Sequence, residues 1–457
     1  MTDTRKKLRT VFLSPVLPMV VMSAALVVLV VSGVLYIHDG VPMSRIDEHT
    51  HYDYAVAIMH GELPNAGRIY SDEVLREWAC GLGHQAGGYT ADCSTGVLPP
   101  ASTLPCGQYS TAYIHYPTFY VLAVGFAKVV GPLFHISNTL TVLRLFSLLM
   151  MVLGVGACAL FAGLLGFRKW TLAAITLIPV ATPVIFSLDL YFNPNSTQIL
   201  AGALIAGTTL LWMQKGKGFL WVAIVCAIMP WFLAVDSIPI GAVILVAAWG
   251  AWFRRKAPAG QWRPRWWQPL LLMVFCLVPI VVWNHVIAAR RTVPDDVIYT
   301  GMAGYIKGNH LDLFRGVLAD GTIIHTPWSD LGGIASLSSW TTIVIIAVVI
   351  LAALGLMSIP TNPYDSSAPA IEATALRVFC ISTILVLALY PAALHFSNYL
   401  SFGFNMTTVA RYSIALAPVL TLLTLSVLRR QRMGFLLTIM GTVTIVLMRY
   451  ATTYAWL

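Results

Sequence analysis

Long runs of apolar residues alternate with short polar stretches along the whole chain. About eleven of these runs approach or reach the roughly 20 residues that a membrane-spanning helix needs. They lie at residues 16–37, 140–165, 172–187, 198–213, 219–235, 238–253, 269–289, 340–359, 376–396, 409–428 and 435–449. Because they show neither the alternation of a transmembrane β-strand nor a repeat period, they predict an all-α polytopic membrane protein with one integral membrane domain over residues 1–457.

Composition supports this class. Hydrophobic residues make up 58% of the chain and charged residues only 10%, with a mean hydropathy of +0.77. The net charge of +9 would suit a nucleic-acid-binding protein, but the basic residues lie in short runs between apolar segments. Such runs are typical of cytoplasmic loops. We therefore expect membrane lipids as partners, and no nucleic acid.

One further apolar stretch, residues 116–134, contains Lys128 and decides the topology. If it crosses the membrane, the later basic runs lie outside the cell, and if it does not, they lie inside. These runs occupy residues 167–170, 214–217, 254–267 and 429–432. The positive-inside rule therefore predicts that residues 116–134 form an interfacial helix along the outer surface.

This topology predicts a large first extracytoplasmic loop, residues 39–138, and a second one, residues 290–339. The run at 16–37 has no convincing cleavage site, so we expect a retained first helix with a cytoplasmic N-terminus. The C-terminus would then lie outside. Most of the carboxylates and histidines gather on the outer side, where we expect the active site of a multi-pass plasma-membrane protein.

Three cysteines, Cys80, Cys93 and Cys106, share the first loop. In an extracytoplasmic loop one disulfide is expected and one thiol is left over. The spacing does not indicate which two cysteines pair.

The first loop begins with the stretch "RIDEHTHYDYAVAIMHGELP". On a helix Asp47 and His51 lie one turn apart on one face, and Glu48 lies on the adjacent face. A carboxylate beside apolar walls is poorly solvated and suits a general base. Carboxylate plus imidazole at this spacing also suits a divalent metal. A third interpretation is a solvated helix N-terminus, with its acids near the positive end of the helix dipole.

This stretch resembles the acidic first-loop motif of the GT-C superfamily of polytopic glycosyltransferases, which use lipid-phosphate-linked sugars. Later stretches follow the same order: "YIHYPTFYVLAVGFAKVVG" resembles the interfacial segment of the superfamily, and "TLTVLRLFSLLMMVLGV" its Arg-containing helix. "DLYFNPNSTQI" takes the place of the second external motif, and "ARYSIALAP" resembles an Arg-Tyr helix start near the donor site. The second motif has one aspartate, Asp189, rather than a clear DxD.

The resemblance implies a hexosyl- or pentosyltransferase with a polyprenyl-phosphate sugar donor and a cell-envelope glycan, glycolipid or lipid acceptor. It implies an inverting mechanism with Asp47 as the base and Glu48 as its partner. An arginine fork matches phosphate geometry and is costly in a membrane without a purpose. The candidate phosphate- and substrate-binding residues are Arg411, Arg144, Arg290, Tyr412, His115 and His51. If a divalent metal takes part, Mg²⁺ or Mn²⁺, its candidate ligands are Asp47 and Asp189.

Other interpretations stay open. Arg144 and Arg411 lie near predicted helix starts, where their side chains would reach the interface without any ligand. Asn193 and Asn195 fit a turn and helix cap, and Asp236 fits a loop or cap. The alternative function is a membrane transporter or flippase of lipid-linked or small polar substrates. Such a protein would place ionisable residues near the middle of the bilayer.

Overall fold

The computed structural model of the protein describes residues 16–44, 47–82, 93, 95–105, 107–176, 190–256, 261–299, 371–402, 412, 414–427 and 431–454. This part of the chain is helical, and its α-helices are α1 (Val16–His38), α2 (Glu48–Met59), α3 (Asp72–Cys80), α4 (Pro117–Leu133), α5 (Thr139–Leu164), α6 (Trp170–Ala173), α7 (Gln198–Lys215), α8 (Phe219–Ile228), α9 (Ile238–Phe253), α10 (Trp267–Ala289), α11 (Asp295–Ile298), α12 (Ala373–Phe402), α13 (Leu416–Val427) and α14 (Gln431–Tyr454). Within these described ranges, one antiparallel bridge pairs Ile69 with Tyr109.

Within the described residues, 5 helical segments are long and apolar enough to cross a membrane. They are Val16–His38, Thr139–Leu164, Pro194–Lys215, Ala234–Phe253 and Trp267–Ala289. The all-helical, multi-pass class predicted from the sequence is therefore confirmed, whereas the number of about eleven spans stays a prediction. The predicted span 340–359 and most of the second loop, 290–339, lie outside the described residues.

The predicted span 219–235 is interrupted in the structure. Helix α8 ends at Ile228, a short 3₁₀ turn covers Met229–Trp231, and a second one covers Ala234–Ser237. Pro230 explains the interruption, because proline lacks the backbone N–H that would continue the α-helix. The chain then re-enters a helix at Ile238, the start of α9.

Helix α7 is the central element of the membrane domain, because it packs against α5, α8, α9 and α13. Two glycines allow close backbone approaches to this helix or by it. A Cβ atom at Gly154 of α5 would lie 2.7 Å from the backbone nitrogen of Leu200, and one at Gly202 of α7 would collide with the carbonyl oxygen of Ala415. The absence of a side chain at these positions lets the helices pack backbone to backbone.

The first loop is folded against the membrane domain. Helices α2, α3 and α4 contribute Tyr54, Trp78 and Phe119 to an apolar cluster that also contains Phe146 of α5 and Phe192. A disulfide joins Cys80 to Cys93, which answers the pairing question, while Cys106 lies outside the described residues. Helix α4 falls within the predicted interfacial stretch 116–134, and its orientation to the membrane stays a prediction.

Candidate functional site

Asp47 is the N-cap residue of α2, and its backbone carbonyl accepts hydrogen bonds from the Thr50 and His51 amides at 3.0 and 3.2 Å. Its carboxylate makes no capping bond to the helix. Instead, Oδ1 accepts a hydrogen bond from Asn193 Nδ2 at 3.2 Å, and Oδ2 lies 3.8 Å from His51 Nε2. The side chain is 19% exposed. The Asp47 carboxylate is therefore held by protein contacts and is still accessible to a further group.

Glu48 and Arg144 form a buried, two-pronged ion pair. The Arg144 Nε and Nη2 atoms each donate to one Glu48 carboxylate oxygen at 2.8 Å. Glu48 also accepts from the backbone amides of Ser44 and Phe192, both at 2.8 Å. Arg144 also donates to the carbonyl oxygens of Val41 and Pro42 at 2.7 and 3.1 Å. One ion pair therefore ties together the start of α2, helix α5 and the segment before α7.

These contacts involve two residues that the sequence predicts to be part of the site. Both side chains are almost completely buried, and the fork of Arg144 is occupied by protein acceptors. In this arrangement Arg144 and Glu48 are each held by partners within the protein. The physical reason is that a carboxylate and a guanidinium taken out of water need each other and further hydrogen bonds. Both residues hold the segment that carries Asp47, and their predicted roles toward a phosphate and an acceptor stay predictions.

His51 lies beneath Asp47 and is buried. Its Nδ1 atom is 2.6 Å from the hydroxyl of Tyr120 in α4, and its ring is 5.0 Å from the ring of His115. The Tyr120 ring stacks on that of Tyr54, with centroids 3.8 Å apart. The structure thus brings His51 and His115, both predicted as site residues, into one cluster with Asp47.

The segment before α7 supplies the other wall of the site. Asn193 caps the 3₁₀ turn Pro194–Thr197 through its Oδ1 atom, as the sequence predicts, and also donates to Asp47. Gln198 donates to Asn195 Oδ1 at 2.8 Å and accepts from the Ala415 amide at 3.0 Å. A chain of buried amides therefore links Asp47 to the residues just before α13.

The remaining predicted phosphate ligands make other contacts or lie outside the described residues. Arg290 donates to the carbonyl oxygen of Leu63 and so fastens the first loop to the segment after α10. Arg291 pairs with Asp295 at 2.8 Å within that segment. Tyr412 is partly buried, 3 residues before the Ala415 amide that binds Gln198. Arg411 and Asp189 lie outside the described residues.

His49 and Asp236 are polar residues whose burial the sequence did not predict, although Asp236 lies in a turn before α9 as a loop or cap residue would. His49 packs against the rings of Tyr70 and Trp78, each at 5.6 Å. Burial lowers the pKa of His49 to about 4, although the nearby charge of Asp47 acts in the opposite direction. Asp236 precedes α9 and accepts a hydrogen bond from Thr197 at 2.9 Å. The sequence signal for such residues is weak, because apolar neighbours in the chain do not show which way a polar side chain points.

The candidate metal ligands are not clustered in the described part of the chain. Among the described residues, no group of three or more His, Cys, Asp or Glu side chains is arranged to hold a metal ion. Asp189, one of the two predicted ligands, is not among them. The predicted Mg²⁺ or Mn²⁺ site therefore stays a prediction.

Comparison with known proteins gives a structural likeness at low sequence identity. No protein-family model matches the sequence, and no curated protein matches it. The crystal structure of ArnT from Cupriavidus metallidurans bound to undecaprenyl phosphate is similar with a TM-score of 0.47 and 14% sequence identity. The match covers 90% of this chain and 60% of that of ArnT, so the chain spans less than two thirds of that protein.

Proposed function

We propose that the protein is a membrane glycosyltransferase that moves a sugar from a polyprenyl-phosphate donor to a cell-envelope glycan, glycolipid or lipid acceptor. The observation that carries this proposal is the convergence of separate sequence motifs on Asp47. The first-loop motif meets the interfacial segment through His51 and Tyr120, and meets the second external motif through Asn193. The Glu48–Arg144 pair joins the Arg-containing helix to the same point.

The reaction requires a base for the acceptor hydroxyl and a partner for the leaving phosphate. Asp47 is the partly exposed carboxylate of the cluster, and in the proposed mechanism it takes the proton as the hydroxyl oxygen attacks the anomeric carbon. The bond between that carbon and the phosphate oxygen breaks on the opposite face, which inverts the configuration. Glu48 and Arg144 hold the base in place from below.

The phosphate partner is proposed from the sequence, since Arg144 and Arg290 are engaged with protein acceptors. Arg411 is the remaining candidate, because an arginine offsets the charge that develops on the leaving phosphate. The Gln198–Ala415 hydrogen bond supports this choice by tying the neighbourhood of Tyr412 to the Asp47 network. We place the site on the outer face of the plasma membrane, where the charge distribution of the loops puts the first loop.

The transporter or flippase alternative is supported by Asp236. This residue is fully buried at the start of a candidate span, Ala234–Phe253. Its Oδ1 atom has no hydrogen-bond partner among the described residues. Ionisable residues in such places commonly mark substrate or ion paths in transporters. Movement of a lipid-linked substrate across a vesicle membrane, without sugar transfer, would favour this function.

The proposed function is tested with purified protein in lipid vesicles, supplied with a labelled polyprenyl-phosphate sugar and a membrane acceptor extract. We expect transfer by the wild-type protein and a loss of about 10²–10⁴-fold in rate for Asp47→Asn, because a positioned general base contributes that much. Asp72→Asn is the matched control, since Asp72 is an exposed carboxylate of the same loop at the start of α3. Equal rates for both variants would contradict the assignment of the base.

A further inference from the structure

His51, Tyr120 and Asp47 form a line of three groups that reaches from the protein interior to the site. Tyr120 and His51 are buried, whereas Asp47 is partly exposed. The Tyr120 hydroxyl lies 2.6 Å from Nδ1 of His51, and the opposite ring nitrogen, Nε2, faces Asp47 Oδ2 at 3.8 Å. The imidazole therefore stands between a phenol and a carboxylate.

The chemistry of these neighbours determines which ring nitrogen carries the proton. An ionised carboxylate only accepts hydrogen bonds, so the nitrogen that faces it must be protonated for the contact to be attractive. A neutral imidazole has one ring proton, which leaves Nδ1 as an acceptor for the Tyr120 hydroxyl. The opposite tautomer would turn the lone pair of Nε2 toward the negative charge of Asp47.

We propose that His51 is a positioning residue for Asp47, and that Tyr120 fixes its tautomer. The Nε2 proton of His51 favours the ionised form of Asp47 and aims its second oxygen at the acceptor hydroxyl. The distance of 3.8 Å is longer than a hydrogen bond, and such contacts at catalytic sites often tighten only when substrate binds. His51 neither gains nor loses a proton in the reaction, since the acceptor proton goes to Asp47.

Other titratable groups surround this line of three residues. His115 faces the His51 ring from the segment before α4, and Tyr54 stacks on Tyr120 from α2. The Tyr54 hydroxyl donates to the His115 carbonyl oxygen at 3.2 Å, which holds both residues in place. His49 lies on the same helix but packs against Tyr70 and Trp78. Among these described neighbours, Asp47 is the group that His51 Nε2 faces.

The kinetic part of the inference rests on the proposed function and is tested by two substitutions of His51. In His51→Gln the side-chain amide nitrogen replaces Nε2 and keeps a donor toward Asp47. In His51→Asn it replaces Nδ1 instead, and the donor is lost. We expect His51→Gln to stay within a few-fold of the wild-type kcat and His51→Asn to lose about 10- to 100-fold, as for a hydrogen bond to a charged group.

A pH–rate profile separates positioning from a purely structural role. In His51→Asn the acidic limb of the kcat profile should move to higher pH, because Asp47 loses the donor that favours its charged form. Tyr120→Phe should cause a smaller move in the same direction. The control is His60→Gln, at the other end of α2, where the 57% exposed ring pairs with Glu73. Identical profiles for wild type, His51→Asn and His60→Gln would overturn the inference.

The tautomer itself is measured without any activity assay. In protein labelled with ¹⁵N-histidine, the His51 signals are assigned by their absence in His51→Gln. We expect a protonated Nε2 and an unprotonated Nδ1 in the wild type, and a loss of this preference in Tyr120→Phe. A protonated Nδ1 in the wild type would overturn the inference. If the wild type transfers no sugar but shows the expected tautomer, the proposed function fails and the positioning contact stands.

Discussion

The buried ion pair between Glu48 and Arg144 gives the sharpest prediction about stability. Replacing Glu48 by Gln keeps the shape of the side chain but removes its charge. Glu48 accepts four hydrogen bonds, from Arg144 Nε and Nη2 and from the Ser44 and Phe192 amides. The amide group of Gln turns one acceptor into a donor, which faces donors already in place. Glu48→Gln therefore leaves the Arg144 charge buried without its counter-charge.

The size of the expected stability loss follows from the burial of the ion pair. Removing one partner of a buried ion pair costs about 3–5 kcal/mol, because the remaining charge is left uncompensated. An exposed ion pair is worth about 0–1 kcal/mol. The first loop contains such a pair for comparison: Glu62 lies 2.9 Å from Arg68, nearly the same distance as in the buried pair, but Glu62 is 62% exposed. Glu62→Gln should change the free energy of unfolding by less than about 1 kcal/mol.

The assay is equilibrium unfolding in mixed micelles, followed by tryptophan fluorescence, for Glu48→Gln, Arg144→Met and the double variant. We expect each single substitution to cost several times more than Glu62→Gln. The double variant should cost clearly less than the sum of the singles, since the second change removes the orphaned charge. Additive costs, or a Glu48→Gln variant as stable as Glu62→Gln, would refute the account of this ion pair.

Two further predictions concern the first loop. The low pKa of His49, about 4 against the usual 6.5, means that the unfolded chain binds a proton more readily than the folded protein. Stability present above pH 6.5 should therefore fall by about 3 kcal/mol as the pH drops toward 4, and His49→Phe should flatten this dependence in unfolding titrations; an unchanged slope would contradict the burial argument. Loss of the Cys80–Cys93 disulfide should destabilise the protein by about 2–4 kcal/mol. The paired Cys80→Ser and Cys93→Ser substitutions and chemical reduction of the wild type should give the same loss, and a loss only in the variant would point to packing instead.

Sequence patterns predicted the helices best where local signals coincide. Helix α9 begins and ends where the predicted span 238–253 does. Pro239 lies in its first turn, and the basic residue Arg254 follows its last residue. The break after Ile228 also had a local signal, Pro230, which the hydropathy of the run concealed. The number of spans depends on residues beyond the described part, such as 340–359.

The sequence predicted several residues of the site but not which of them contact each other. The period of a helix places Asp47 and His51 on one face, and the structure agrees. The same period does not show that Glu48 turns inward to Arg144, because that contact joins residues 96 positions apart. An arginine within an apolar helix does signal a buried partner, and either a protein carboxylate or a phosphate would satisfy it. Only the tertiary contacts distinguish between the two.

The central claim is that Asp47 serves a sugar transfer from a polyprenyl-phosphate donor. The most direct measurement supplies the purified protein in vesicles with a radiolabelled polyprenyl-phosphate sugar, and in parallel with a panel of labelled nucleotide sugars. We predict that label moves to the membrane acceptor only from the polyprenyl-phosphate sugar, and that Asp47→Asn slows this transfer by about 10²–10⁴-fold while Asp72→Asn retains it. Transfer from a nucleotide sugar in the absence of any polyprenyl phosphate would contradict the proposed mechanism.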